Sequence, residues 1–396
     1  MMKQSSLIKS VITAISVFCI ALHVNSQNIN QTTFSKTNKP IISANIKALI
    51  KKTMEQPFET LNTDWFGTIQ AEAIIRWAEK GYPEGVQFVE NWLNYHITHD
   101  NKLSDEEYLK TYAGNKARVI RDGVLPFSLY AGTIGVSFPC FVLFQQTKNE
   151  DAKNVCLTVA NAILHYSARD RFGYMAHDDF IYYKWCIPDG GYFSVRGMAD
   201  ASALVDENTS KVYLKNAVYQ AKTSVNLFYD SEKKLTRTIY LEQKEPGKTY
   251  WCRASGWMVY TLTALLRHLP KDHPDYKFFT ETFSQIADGL IARQGPNGGL
   301  HVWVDDPASP EEVTSTAMTA GCIQEAMDKG WIPGNYNDYV RKAWSFISGC
   351  VSEDGKIKNA YTGWAIPAEQ KELVMDTRYD GYIPGMVLLA AAQILN

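Results

Sequence analysis

Apolar side chains recur along this chain at three- and four-residue spacing, in runs broken by glycine, proline and short polar stretches. That period lays apolar residues along one face of an α-helix. Twelve runs carry it, at 42–55, 65–80, 84–98, 125–146, 151–169, 192–205, 211–228, 254–268, 275–294, 312–329, 336–352 and 380–395. The separators are of the kind that end helices, as in Lys80-Gly81-Tyr82-Pro83 and Gly330-Trp331-Ile332-Pro333-Gly334. Ser309-Pro310-Glu311-Glu312 reads as a helix start, with Pro in the first turn and acids near the positive helix end. Strand-like alternation is scarce and is confined to short pieces such as Leu300-His301-Val302-Trp303-Val304, expected in a loop.

Short and long connections alternate between these runs, which suggests paired helical hairpins. Six pairs fit an all-α (α/α)6 barrel, with an inner and an outer ring of helices. A linear helical solenoid is the rival, and the lack of a repeat at fixed period counts against it. The long connections, 99–124, 170–191, 230–253, 295–311 and 353–379, are rich in Trp, Tyr, Arg, His and Asp. In a barrel they gather at one end, where a rigid scaffold holds loops for function.

The start of the chain changes the compartment. Lys3 and Lys9 precede the apolar run from Val11 to Leu22, and Val24-Asn25-Ser26 stands before Gln27. This is the pattern of a signal peptide over 1–26, too short in its apolar part to span a bilayer comfortably. Residues 27–41 are polar and read as a linker, and 42–396 as a single domain. The mature protein is expected in the periplasm or outside the cell, with no membrane contact after processing. Beyond Cys19 the six cysteines form no C-x-x-C pair and most sit among apolar neighbours, as buried hydrophobes do. The 396 residues are 45% apolar with a formal charge of -2 and no basic stripe, so a nucleic-acid partner is not expected. The 22 Tyr, 17 Phe and 10 Trp suit either sugar stacking or a large helical core.

Three clusters carry candidate chemistry. Residues 170–193 hold His177, Asp178, Asp179, Lys184, Trp185, Asp189 and Tyr192. Carboxyl groups among aromatic rings are what a general acid needs, because burial raises a carboxyl pKa; Asp189-Gly190-Gly191 also reads as a turn or cap before the next helix. Trp251, Arg253 and Trp257 stand together before a helix, with Arg253 suited to bidentate carboxylate binding between two indole walls. Thr314 and Ser315 follow Glu311-Glu312 at another helix start, where hydroxyls and free N–H groups bind anions or simply cap. No G-x-S-x-G elbow, Walker loop, G-x-G-x-x-G or H-E-x-x-H is present.

At these clusters the sequence resembles the unsaturated rhamnogalacturonyl and glucuronyl hydrolases, glycoside hydrolase families 105 and 88. Trp251-Cys252-Arg253-Ala254-Ser255-Gly256-Trp257 is similar to the family's W-x-R-G-x-G-W, and Leu269-Pro270-Lys271 through Pro274 to its L-P-K-x-x-P. Glu312-Val313-Thr314-Ser315-Thr316-Ala317 resembles E-T-S-G-T-A. Ala343-Trp344, Asp354-Gly355-Lys356 and the stretch from Gly381-Tyr382 to Leu389-Ala390 follow in the family's order. The resemblance implies the barrel, a substrate carrying a C4=C5 double bond left by a lyase, and hydration of that bond by one Asp. Trp185 to Tyr192, with His177 upstream, resembles the context of that Asp, which makes Asp189 the implied catalyst and Asp179 the alternative. His177, Trp185, Tyr192, Trp251, Arg253, Trp257, Thr314 and Ser315 are then the implied substrate-binding residues, and no metal or organic cofactor is implied. The chain departs from the family where its His falls at Thr238 and its early Asp near Gly132 and Thr133. The partner implied is an oligosaccharide. The alternatives are another (α/α)6 lyase or conventional glycosidase, which needs a second carboxylate, and a non-catalytic sugar-binding homologue.

The leader reading has a direct check. N-terminal sequencing of protein secreted by the native host should start near Gln27 without a lipid; a mature chain retaining Met1 to Ser26 contradicts it.

Overall fold

The computed structural model describes residues 42–100, 131–177, 185–241, 249–363, 375–378 and 381–395. The expected leader and linker, Asp178 and Asp179 lie outside them. The described residues form twelve α-helices: α1 Ala44–Met54, α2 Trp65–Ala78, α3 Glu84–Asp100, α4 Ser137–Thr147, α5 Glu150–Tyr166, α6 Pro188–Ser202, α7 Glu207–Phe228, α8 Cys252–Leu266, α9 Tyr276–Ile291, α10 Val313–Asp328, α11 Asn337–Cys350 and α12 Ile383–Ile394. Burial divides them into two kinds. α8 is buried at every position, and α6 at every position but Asp189. α9 buries a stripe of Phe279, Thr282, Phe283, Ile286, Ala287, Gly289 and Leu290, and α11 a similar one. Helices buried all round must be surrounded by protein, and striped ones cover them.

The packing closes a ring. α2 packs on α4, α4 on α6, α6 on α8, α8 on α10, α10 on α12, and α12 returns to α2. Outside them α3 covers α2, α5 covers α4, α7 covers α6, α9 covers α8, α11 covers α10 and α1 covers α12. This is the (α/α)6 barrel, and its closure excludes the linear solenoid. The closing contact is tight. A Cβ on Gly385 of α12 would lie 2.6 Å from Ile69 Cγ2 and 2.8 Å from the Gln70 nitrogen of α2. The Trp77 indole also donates to the Leu388 carbonyl at 3.0 Å.

Each periodic run holds one helix, and the differences have local causes. The run at 125–146 resolves into a 3-10 turn, Ala131–Val136, ahead of α4. α6 begins four residues before the expected 192, because Pro188 at its first position fits helix entry and the two glycines behind it are held by packing rather than by turn geometry. Ser309-Pro310 stays outside its helix: the Pro310 carbonyl accepts from Val302 N at 2.8 Å. Glu311–Glu312 instead pair as strand β6 with β5, Leu300–His301, and α10 starts at Val313. Three other short antiparallel pairs lie in the connections: β1 (Trp185–Cys186) with β4 (Tyr240–Leu241), β2 (Tyr229–Asp230) with β3 (Leu235–Thr236), and β7 (Ile357–Ala360) with β8 (Asp376–Arg378).

One end of the inner ring is filled by charge. Arg196 of α6 donates through Nη1 to Glu72 Oε2 at 2.7 Å and through Nη2 to Glu72 Oε1 at 2.5 Å, joining α6 to α2. Its Nε reaches Asp200 at 3.2 Å, Asp200 meets His268 Nε2 at 2.8 Å, and Arg76 reaches Glu72 at 3.3 Å. Beside them Arg267, just past α8, forms a two-pronged pair with Glu325 of α10 at 2.7 and 2.6 Å. Burial alone would raise the Glu72 carboxyl, but the Arg196 guanidinium outweighs it and holds the group below the usual range. Burial acts upward on Asp200 too, and Arg196 and His268 bring it down to about 2.

Arg196→Met should therefore remove the main cation from both buried carboxylates, Glu72 and Asp200, at a cost of about 3–5 kcal/mol. Urea unfolding at neutral pH measures this, and a loss below ~1 kcal/mol would show that the pair does not hold α2 to α6.

Candidate active site

The inner helices all run the same way, because an outer helix that returns lies between each and the next in the chain. Their N-termini therefore meet at the end opposite the Arg196 network, where backbone N–H groups and the positive helix ends favour an anion. The residues gathered there are Trp65 and Phe66 of α2, Asp189 of α6, Arg253 of α8, and Tyr382 just ahead of α12.

Arg253 is held as a plate between two rings. Its guanidinium carbon lies 4.1 Å from the centre of Trp251 and 5.1 Å from that of Tyr382. Nη1 donates to the Tyr361 carbonyl at 2.8 Å and to the Tyr382 hydroxyl, and Nη2 donates to the Gly363 carbonyl at 3.2 Å. Among the described residues, the Nε edge of the fork remains for a ligand, enough for one carboxylate. Trp65 stacks on Tyr382 at 4.4 Å, and Phe66, 40% exposed, lies 5.4 Å from the same ring. These rings form an aromatic shelf beside the arginine.

Asp189 sits in the first turn of α6, not in a turn ahead of it, and the helix N-cap is Ile187, which offers no side-chain bond. The carboxyl is half-buried. Burial raises it from 3.8 to about 7, with Arg253 opposing the shift and failing to cancel it. At neutral pH the group is thus shared between acid and base, the condition for proton transfer in both directions.

The other expected residues fall into two groups. Trp251 belongs to the Arg253 clamp, and its buried indole N–H meets no acceptor among the described residues. His177 is buried, on the segment whose carbonyl receives the Ala131 amide at 3.0 Å ahead of α4. For Trp185 the backbone pairs with Leu241, and its side chain lies outside the description. Tyr192 and Trp257 are not walls of an open pocket. They lie one helical turn below Asp189 and Arg253, stacked on each other at 5.3 Å, with the Tyr192 hydroxyl bonded to Arg196. A side chain three or four positions into a helix points to the same face but deeper, so the second arginine wall is Tyr382 instead. Thr314 and Ser315 are buried in a cap: the Glu312 carboxylate accepts from both Thr314 groups at 2.8 and 2.7 Å and from the Ser315 amide at 2.5 Å. Glu312 Oε1 also takes the Cys252 thiol at 3.4 Å, tying the starts of α8 and α10.

Thr238, where the family His falls, donates to the Thr249 carbonyl and accepts from Trp251 N, both at 3.0 Å, so it sets the strand that carries Trp251. Thr133 is buried in the 3-10 turn before α4. Tyr382 and Trp65 were missed as site residues. Tyr382 stood only inside the Gly381-Tyr382 stretch of the resemblance, and nothing local marked it as a partner of Arg253.

Comparison with known proteins follows this geometry. The profile of Glycosyl Hydrolase Family 88 matches residues 49–396. The unsaturated rhamnogalacturonyl hydrolase of Bacillus subtilis is 23% identical over 370 residues, covering 90% of this chain and 95% of that protein. Among solved structures, a possible member of family 105 from Klebsiella pneumoniae superposes with a TM-score of 0.75 at 15% identity, covering 93% of this chain and 97% of its own. The unsaturated glucuronyl hydrolase of a Bacillus species, responsible for glycosaminoglycan degradation, has a TM-score of 0.59 at 15% identity, covering 88% and 93%.

The raised carboxyl has a thermodynamic signature. A group whose native pKa lies above its unfolded value stabilises the fold at low pH, and that contribution fades as pH rises through the native pKa. For Asp189 the window runs from 3.8 to about 7. Asp189→Asn should therefore melt higher than wild type at about pH 8, with the gap closing toward pH 4. Melts with a pH-independent gap would show that the carboxyl holds no excess proton in the fold.

Proposed function

The chain belongs to glycosyl hydrolase family 88, and we propose that it removes the terminal 4,5-unsaturated uronic sugar from lyase-generated oligosaccharides, with Asp189 as the acid and base. The observation that carries this reading is the contrast at one site: a carboxyl that keeps its proton to about 7 beside an arginine whose Nε edge bonds nothing among the described residues. The arginine and the ring of helix N-termini suit the uronate carboxylate. The shelf of Trp65, Tyr382 and Phe66 suits the flat faces of sugars.

In the reaction, Asp189 gives its proton to C4 of the double bond while a water adds at C5 and returns a proton to the carboxylate. The hemiketal formed at C5 opens to a ketone, and the hemiacetal thereby left at C1 expels the neighbouring sugar. One carboxylic acid suffices, because the double bond rather than the glycosidic bond is attacked. A displacement mechanism would need a second free carboxylate at fixed distance. Glu312, behind Arg253, is fully engaged in capping α10 and does not offer one. The leader over 1–26 supports action in the periplasm or outside the cell, where lyase fragments arise.

Asp189→Asn keeps size and cannot recycle a proton, so the rate should fall by about 10²–10⁴-fold with the fold intact. Loss of the ultraviolet absorbance of the unsaturated uronide, measured on lyase-digested oligosaccharides beside a thermal melt, tests it. A folded variant with near-normal rate rejects Asp189 as the catalyst.

A further inference from the structure

The first turn of a helix leaves backbone N–H groups without intrahelical partners. An aspartate placed there ordinarily turns its carboxylate onto them, which favours the charged form. α6 leaves the Asp189 carboxyl its own amide, which favours the charged form, and withholds the others. Pro188 has none. The Gly190 amide lies 3.2 Å from the Ile187 carbonyl. The Gly191 amide donates to the Tyr174 hydroxyl at 2.5 Å, and that hydroxyl donates in turn to the Ile187 carbonyl at 2.8 Å. One phenol thus grips the chain on both sides of Asp189.

The grip is built from the other side as well. Tyr174 is fully buried, and its amide donates to Asp170 Oδ1 at 2.8 Å. Gln220 of α7 accepts from the Met175 amide at 2.9 Å and donates to the Gly173 carbonyl at 2.7 Å, fixing the turn around it. The approach requires the glycine pair. A Cβ on Gly190 would stand 2.6 Å from the Met175 carbonyl, and one on Gly191 would stand 2.7 Å from Ser224 Oγ and 3.0 Å from the Tyr174 hydroxyl.

We propose that Tyr174 is a positioning residue that keeps Asp189 a proton donor, holding the first turn of α6 from both flanks by standing between the Gly191 amide and the Ile187 carbonyl. The inference rests on the reading of Asp189 as the acid. The titratable groups around it are few among the described residues. Arg253 of α8 acts on Asp189 directly and favours its charged form. Tyr174 itself stays neutral, its phenol pushed far up by burial and next by Cys186 of β1, with Asp189 adding to the rise. His177 lies three residues beyond Tyr174 on the same segment. Arg253 and the Asp189 amide pull toward ionisation, burial outweighs both, and the Gly191 amide, held by Tyr174, adds nothing to their side.

Tyr174→Phe keeps the ring and removes the hydroxyl, freeing the Gly191 amide for the carboxylate. In the full chain, kcat should fall about tenfold or more through loss of positioning, with KM little changed. The alkaline limb of the pH–rate profile should move down by about one pH unit, since two or three such amide bonds lower a carboxyl by about two. An alkaline limb equal to wild type overturns the inference. A second measurement needs no variant to fold: in wild-type protein labelled with 15N-glycine, the Gly191 amide should not move through the Asp189 titration. An amide that follows the titration as a carboxylate-bound donor does also overturns it. Asp189→Asn separates the two ideas. If it is inactive while Tyr174→Phe keeps the wild-type limb, the role of Tyr174 fails and the acid stands; if it is active, the acid itself is wrong.

Discussion

The pair between Arg196 and Glu72 joins two inner helices that are not neighbours in the ring, and the polarity of the barrel follows from it. Neither charge is tolerable in that interior alone, and together they bind α6 to α2 past the intervening α4. Around them Arg76, Asp200, His268, Arg267 and Glu325 complete a set in which cations and carboxylates answer one another. That end is electrically closed. At the other end the helix N-termini converge on Arg253, whose fork bonds no carboxylate among the described residues, so negative charge has a place there.

α6 shows the same logic within one element. Asp189 and Asp200 lie about three turns apart on one helix, in the same protein interior, yet one is driven to about 7 and the other to about 2. The difference is whether a partner accompanies the burial. Asp200 has Arg196 and His268 within bonding distance, whereas Asp189 has its own amide and feels Arg253 only through space. The two carboxyls of one helix are therefore set apart by the company each keeps.

This explains what was legible in the sequence. The helices were, because the 3.6-residue period is local and each run needs only its own residues to be recognised. The inner ring was legible in principle too, since stretches such as Cys252–Leu266 carry no charged residue past Arg253 at their start. Asp189 and Arg253 stood out by their neighbours in the chain. What could not be read were partners brought together by closure: Glu72 with Arg196, 124 residues apart, and Arg253 with Tyr382, 129 apart. Tyr192 and Trp257 were placed beside the ligand because they are close to Asp189 and Arg253 in sequence, and the helical rise carries them below it. Thr314 and Ser315 went the same way, claimed by the Glu312 cap that their own helix start demands.

The return of α12 to α2 also sets an order in time. Gly385 seats against Ile69 and Gln70, and Tyr382, one turn earlier, completes the clamp on Arg253. Until that segment docks, α2 has a bare flank and Arg253 a single ring. A chain emerging from its N-terminus can stack hairpin after hairpin as an open arc, but it has neither a closed core nor a completed Arg253 clamp until α12 arrives. The clamp is therefore acquired in one late step, together with the ring itself.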